Sequence, residues 1–155
     1  MAEAKGGDMP HFIETIDIER PPQEVWRAIG TPERWFDGYL ETRSRSADYP
    51  APDTRDEHLY RTRKKEQVDA RVTRSEAPSV LEEDQEGQTF SRHVRYSLTP
   101  SMMGTTVVGT SLRVEDDVRF KGLGKLAAPI ASRDIRQRWH TSLEKLKAAA
   151  EGGQQ

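Results

Sequence analysis

Residues 129–150, PIASRDIRQRWHTSLEKLKAAA, constrain the rest of the chain more than any other stretch. Ile135, Trp139, Leu143 and Leu146 recur at spacings of four, four and three, which places them on one face of a long helix. Arg133, Arg136, Arg138, Glu144 and Lys147 fall mostly on the rest of the wheel. The apolar stripe is narrow and carries a tryptophan. A helix of this kind buries too little by itself to offset the ordering of its own backbone, so it must lie on something large.

The chain of 155 residues predicts one domain, over residues 11–150, with disordered tails at 1–10 and 151–155. Net charge is −2, so no global field favours nucleic acid or an acidic membrane. The absence of cysteine excludes disulfides, thiolate catalysis and cysteine-based zinc sites, and fits a cytoplasmic location. MAEAKGGDMP has no apolar core of a signal peptide, and no apolar run approaches the ~18 residues of a membrane span.

Alternation dominates what precedes the helix. In HFIETIDIER, Phe12, Ile16 and Ile18 share a face, with Glu14 on it as a polar exception. Pro21-Pro22 ends this strand, and QEVWRAIG reads as a short helix stopped at Gly30. Thr31-Pro32 predicts the cap and first turn of a second short helix, PERWFDGYL. ETRSRSAD, HLYRTRKK, VDARVTRSE and SVLEED are expected to be strands, separated by a Pro/Asp loop, by Ala77-Pro78 and, at the end, by the turn Glu86-Gly87. Thr89–Thr99 places Phe90, Arg92, Val94, Tyr96 and Leu98 on one face. Residues 100–104 are expected to turn the chain, and Thr105–Val114 to return with Thr106, Val108, Thr110, Leu112 and Val114 inward. Gly122 and Gly124 predict a flexible connection to the last helix. Strands segregated from helices define an α+β domain with an antiparallel meander.

The order of elements resembles the START-like, or SRPBCC, superfamily, whose fold is called helix-grip or Bet v 1-like. The matching stretches are IDIERPPQEVWRAI with TPERW, RVTRSEAPSVLEE, YSLTPSMMGTTVV and WHTSLEKLKAAAE. The resemblance implies a curved antiparallel sheet of about seven strands wrapped around the long C-terminal helix, with two short helices between strands 1 and 2. It implies a cavity between sheet and helix, and members that include polyketide cyclases and aromatases, lipid and sterol carriers and hormone receptors. The tryptophan–cysteine signature of the quinone-binding branch is absent.

Alternation then nominates the cavity wall: Phe12, Glu14, Ile16, Ile18, Arg92, Val94, Tyr96, Leu98, Val108, Thr110 and Leu112 from strands, and Ile135, Trp139 and Leu143 from the helix. Trp35 and Tyr39 are expected at the entrance. Polar groups on apolar faces are the informative ones, because a buried charge must pair, neutralise or reach water. Glu14 and Arg92 are therefore read as a structural ion pair, as residues exposed at a strand end, or as anchors inside a ligand pocket, joined by Arg61 or Arg63 and Arg74. For catalysis the candidates are Arg92, Tyr96 and Glu14: the arginine to hold an enolate or phenolate oxygen, the tyrosine to transfer a proton.

Other chemistry finds no support. His11, His58, His93 and His140 lack metal-ligand spacing, so neither a metal nor a cofactor is expected. In the GLGK stretch, Arg119 stands where a phosphate loop needs its first glycine and Leu126 where it needs Ser or Thr. No GxSxG elbow is present. The arginine-rich strands lack the interleaved aromatics of an RNA platform. The leading reading is a monomer or homodimer that binds a small hydrophobic molecule, such as a lipid, polyketide or other aromatic metabolite. The alternatives are a polyketide cyclase or aromatase and an interaction module with a closed core.

Overall fold

The computed structural model describes residues 10–122 and 128–152, with the side chains of 128–131 left out of the description. The expected hinge around Gly124 and most of both expected tails lie outside the described residues. Seven strands, β1 (His11–Ile18), β2 (Tyr39–Arg45), β3 (Arg55–Arg61), β4 (Lys65–Glu76), β5 (Val80–Glu86), β6 (Phe90–Met103) and β7 (Thr106–Phe120), form one antiparallel sheet. Its order is β1-β7-β6-β5-β4-β3-β2, a meander closed by the return of β7 to β1. Helix α1 (Pro22–Ile29) and a single 3₁₀ turn (Pro32–Arg34) separate β1 from β2, and α2 (Ala128–Gly152) closes the chain. The sheet curves around α2, as the resemblance implied.

Period-two burial gives the sheet one inward face. Phe12 and Ile18 of β1, Val68, Ala70 and Val72 of β4, Phe90, Val94, Tyr96 and Leu98 of β6, and Leu112, Val114, Val118 and Phe120 of β7 all face inward. On α2, Trp139, Leu143, Leu146 and Ala150 meet them, with Ile135 half-buried at the start of the stripe. Trp139 is 1% exposed and packs on Phe36 and Tyr96, with ring centroids 5.4 and 6.2 Å away. The C-terminal turn of α2 is tied down as well. Glu151 accepts from the Glu19 backbone N–H at 2.8 Å, its own carbonyl accepts from Arg20 at 2.7 Å, and Lys147 reaches the Asp17 carbonyl at 2.9 Å. The helix thus runs past Ala150, where the sequence placed its end.

Four local expectations are corrected. The second short helix is only one 3₁₀ turn, Pro32–Arg34, after which the chain carries Trp35 and Phe36 into the core. Thr31 does not cap it; its hydroxyl donates back to the Ala28 carbonyl at 3.0 Å. Pro100 does not turn the chain but lies inside β6, opposite Thr110. Two residues earlier the Leu98 N–H points to Ser79, at the end of β5, so the N–H that Pro100 lacks would face a side with no partner strand. The turn comes at Gly104-Thr105, and the β6–β7 hairpin projects beyond the last β1 pair, Ile18 with Thr110. Val108 sits in that projection, 45% exposed, and not on the concave face.

The β5–β6 turn is organised by Glu66. Its carboxylate accepts from the backbone N–H groups of Gln88 (2.6 Å) and Thr89 (3.0 Å) and from the hydroxyls of Thr89 (2.6 Å) and Thr62 (2.9 Å). A side chain at Gly87 would come within 2.7 Å of Glu66 Oε1, so the turn admits none. Burial pushes the Glu66 carboxyl up, but the bonds from Thr89, Thr62 and Gln88 outweigh it and hold it below its ordinary value. A carboxylate depressed by folding stabilises fully above its unfolded pKa and loses that contribution as pH falls through the folded value.

Two stability predictions arise from this packing. Trp139→Ala should cost roughly 3–5 kcal/mol in urea titrations, whereas Val108→Thr should stay within about 0.5 kcal/mol of the parent. Melts taken from about pH 6 down to about pH 3 should show Glu66→Gln with a shallower acid dependence than the parent. An unchanged slope would remove Glu66 from the turn.

Candidate functional site

The space between the sheet and the long helix is the cavity of this architecture, and aromatic rings fill most of it. Phe36, Tyr60 and Phe90 cluster with Trp139 and Arg92 under β6 and β7. A void of about 10 Å³ remains, room for about one water. It lies toward α1 and the β2–β5 half of the sheet, lined by Ile29, Trp35 and Phe36 on one side and by Asp56, His58, Ala70, Glu83, Gln85 and Tyr96 on the other. Tyr39 and Tyr49 complete the wall.

The polar groups here come from strand positions that alternate inward as strictly as the apolar ones. Asp56 and His58 face in from β3, and Glu83 and Gln85 from β5. Asp56 accepts from Arg45 Nε at 3.0 Å and from the Tyr39 hydroxyl at 3.1 Å. Burial pushes the Asp56 carboxyl up, yet its contacts with His58 and Arg45 prevail and hold it below the usual range. His58 is 2% exposed and stacks on Tyr39 with centroids 4.2 Å apart. Its Nδ1 lies 3.2 Å from Asp56 Oδ2, and its Nε2 has no hydrogen-bond partner among the described residues. Glu83 accepts from the Tyr49 hydroxyl and from Gln85 Nε2 at 3.1 Å. Burial raises the Glu83 carboxyl above the usual carboxylate range despite these donors. Burial, reinforced by Glu83, raises Tyr49 and Tyr96 well above an ordinary phenol, and burial lifts Tyr39 to about 12. The site presents phenols and a Glu83 carboxyl that hold their protons more tightly than usual, an Asp56 carboxyl that holds its proton less tightly, and a buried imidazole.

A second polar cluster lies under α2. Arg92 Nη2 meets Asp116 Oδ2 at 3.0 Å, and the same oxygen accepts from Trp139 Nε1 at 2.7 Å. The guanidinium carbon stands 5.3, 5.7 and 5.9 Å from the ring centroids of Phe90, Phe36 and Tyr60. Burial works against the Arg92 charge, but Asp116 and Tyr60 overcome it and the proton is held more tightly than in free arginine. Arg138 stacks on the far side of this cluster, 5.3 Å from the Tyr60 centroid. Gly38, at φ +98°, lets it approach: a Cβ there would meet Arg138 Nη1 at 2.0 Å.

These positions revise the sequence expectations. Trp35, Tyr39 and Tyr96 line the void. Phe12, Val94, Leu112 and Leu143 are buried in the core, where Ile16 and Ile135 pack against them, and the Thr110 hydroxyl is spent on the Arg20 carbonyl at 2.7 Å. Glu14 and Arg92 do not pair. Strand β7 lies between theirs, and Glu14 sits opposite Val114 while Arg92 sits opposite Val118, so they are offset along the sheet as well. Arg92 faces Asp116 and the aromatic cage, away from the void. Arg61 and Arg74 are exposed, Arg74 on Glu76 and Glu82, and Arg63 is exposed as well. The residues missed were Asp56, His58, Glu83, Gln85 and Asp116. Asp116 continues the inward parity of Leu112 and Val114, so extending that alternation by one step finds it.

A sheet gripping a terminal helix over a lined interior defines the START-like, helix-grip class. Within it, the chain belongs to the family described as polyketide cyclase / dehydrase and lipid transport, whose pattern spans residues 9–151. No curated protein matches significantly. Among solved structures, TTHA0849 from Thermus thermophilus is 15% identical, with TM-score 0.71 over 94% of this chain and all of that one. The di-domain ARO/CYC protein StfQ of the steffimycin biosynthetic pathway is 13% identical with TM-score 0.72, over 94% of this chain and 52% of its own. Ara h 8.0201 is 12% identical with TM-score 0.68, over 94% and 99%. At these identities the likeness is one of fold. Among the described residues no helix is long and apolar enough to cross a membrane.

The Arg92–Asp116 pair carries its own test. Arg92→Met should cost about 3–5 kcal/mol by stranding Asp116, and Arg92→Met with Asp116→Leu should recover much of it. Equal losses in the single and double variants, read by equilibrium unfolding, would show that the two do not act as a pair.

Proposed function

We propose that the protein binds a small, mostly apolar molecule with a polar end in the space between its sheet and α2, the polar end directed to Asp56, His58 and Glu83. One observation carries this reading: His58 is buried, lines the void, and has a ring nitrogen, Nε2, without a hydrogen-bond partner among the described residues. A buried polar group left unsatisfied costs stability, and a ligand that satisfies it recovers that cost. Trp35, Tyr39 and Tyr96 supply the aromatic wall, so the site has the usual composition of a small-molecule pocket: mostly apolar, with a few converging polar groups. The family's cyclase and lipid-transport members, and the ARO/CYC structure that shares this fold, are consistent with it. The size of the void favours a second reading, a closed core that binds nothing, because about 10 Å³ holds no organic molecule without rearrangement.

N-phenyl-1-naphthylamine, an apolar fluorophore with one polar N–H, separates the two. Saturable single-site binding accompanied by a change in emission from Trp35 and Trp139 supports the pocket; a linear, unsaturable signal supports the closed core. His58→Leu sharpens the contrast. It should stay within about 1 kcal/mol of the parent in stability, since losing the Asp56 contact offsets removing an unpartnered buried nitrogen, while weakening probe binding. Lost stability with unchanged binding would make His58 a structural residue.

A further inference from the structure

Tyr49 belongs to two walls at once. On its inner side it borders the void, its hydroxyl on Glu83. On its outer side it borders a groove of about 560 Å³ between α1 and two turns, lined also by Trp26, Thr31, Pro50, Ala77 and Pro78. The residue lies in the loop between β2 and β3, outside any strand, and the Arg45 guanidinium sits 5.5 Å from its ring centroid. We propose that Tyr49 is a displaceable plug between groove and void, and that the molecule displacing it carries a hydroxyl on an aromatic ring and sets that hydroxyl on Glu83 where the Tyr49 phenol now rests. The proposal rests on the ligand-binding reading above and names the entry residue and the chemical class.

The argument is one of volume and of hydrogen-bond accounting. The void admits no ring, the groove admits several, and the Tyr49 side chain stands between them. Moving it joins the two spaces and vacates a slot already shaped for a planar ring, with Arg45 placed over its face. Moving it also takes the O–H donor from Glu83 Oε2, whose partner oxygen is held by Gln85. A buried carboxyl oxygen stripped of its donor is unfavourable, so an occupant that brings its own O–H is selected over a plain hydrocarbon. An anionic head is disfavoured in the same place, because Asp56 lines the void beside Glu83. A neutral hydroxyaromatic satisfies all three conditions, and the unpartnered Nε2 of His58 offers a second contact to a ring bearing another oxygen.

The test compares 2-naphthol with naphthalene by equilibrium dialysis against the parent protein, Tyr49→Ala, Tyr49→Phe, and Tyr49→Ala with Glu83→Leu. Removing the plug abolishes the population cost of opening, so Tyr49→Ala should bind 2-naphthol about tenfold or more tighter than the parent. Naphthalene should gain less, and Glu83→Leu should erase the difference between the two probes. Tyr49→Phe keeps the ring and loses the hydroxyl; it should bind 2-naphthol tighter than the parent, and it carries the test if the alanine variant does not fold. Equal 2-naphthol affinity in the parent and both Tyr49 variants overturns the plug while leaving the ligand-binding reading in place. Equal gains for both probes overturn the role of Glu83. Binding of neither probe by any folded variant overturns the ligand-binding reading and the plug together.

Discussion

One carboxylate oxygen, Asp116 Oδ2, joins the two layers of this protein. It takes the Trp139 indole N–H from α2 and the Arg92 guanidinium from β6, while its own backbone belongs to β7. Charge-assisted hydrogen bonds in a dry interior are short and directional, so this oxygen fixes the axial and rotational position of the helix over the sheet. Apolar packing alone leaves more freedom, since Leu143 and Leu146 tolerate sliding over neighbouring aliphatic side chains in a way that a bonded indole does not. The aromatic cage of Phe36, Tyr60 and Phe90 then assembles around the Arg92 cation. The cluster costs desolvation and supplies register, a trade that buried ion pairs make in some other proteins.

The fold was legible in the sequence where burial is apolar. Phe90 to Leu98 and the α2 stripe have unbroken periods of two and about 3.6, and both lie where those periods place them. Legibility failed where the inward residues are polar. In HLYRTRKK the eye is drawn to Leu59, yet the strand turns Asp56, His58 and Tyr60 inward, and β5 does the same with Glu83 and Gln85 beside Leu81. Hydropathy cannot flag such positions; only the parity of the strand can, and parity needs the register of its neighbours. Arg92 was visible because apolar residues flank it on the same face, but its partner was not, since the pairing depends on which strand lies next to β6. Val108 shows the converse error: correct alternation on a stretch that no other layer covers.

The polar interior is divided by purpose. The half under α2 is filled by rings: Arg92 and Trp139 meet on Asp116 Oδ2, while Arg92 Nε and Nη1 and Asp116 Oδ1 have no hydrogen-bond partner among the described residues. The half toward α1 borders the void, with an imidazole nitrogen lacking a partner, a carboxyl held up by burial and a phenol inserted from a loop. Structural polar groups are normally saturated, and groups left unsaturated beside a void are where a protein has given up stability for something else. Both halves hold unpartnered polar atoms, and it is the void beside His58 and Glu83 that gives the second half its functional reading.

Pro100 has a further effect at the exposed end of the molecule. Beyond Ser97 the β6 edge has lost β5, and the arm carries Met102, Met103, Val107 and Val108 into solvent with no charged residue between Arg95 and Arg113. A bare, uncharged edge of that kind is a template for pairing with another chain. The imino acid removes one donor from the row that an incoming strand needs, and the register shift after Ser101 bends the remainder out of line. The arm therefore keeps its apolar tip exposed without offering a continuous ladder for self-association.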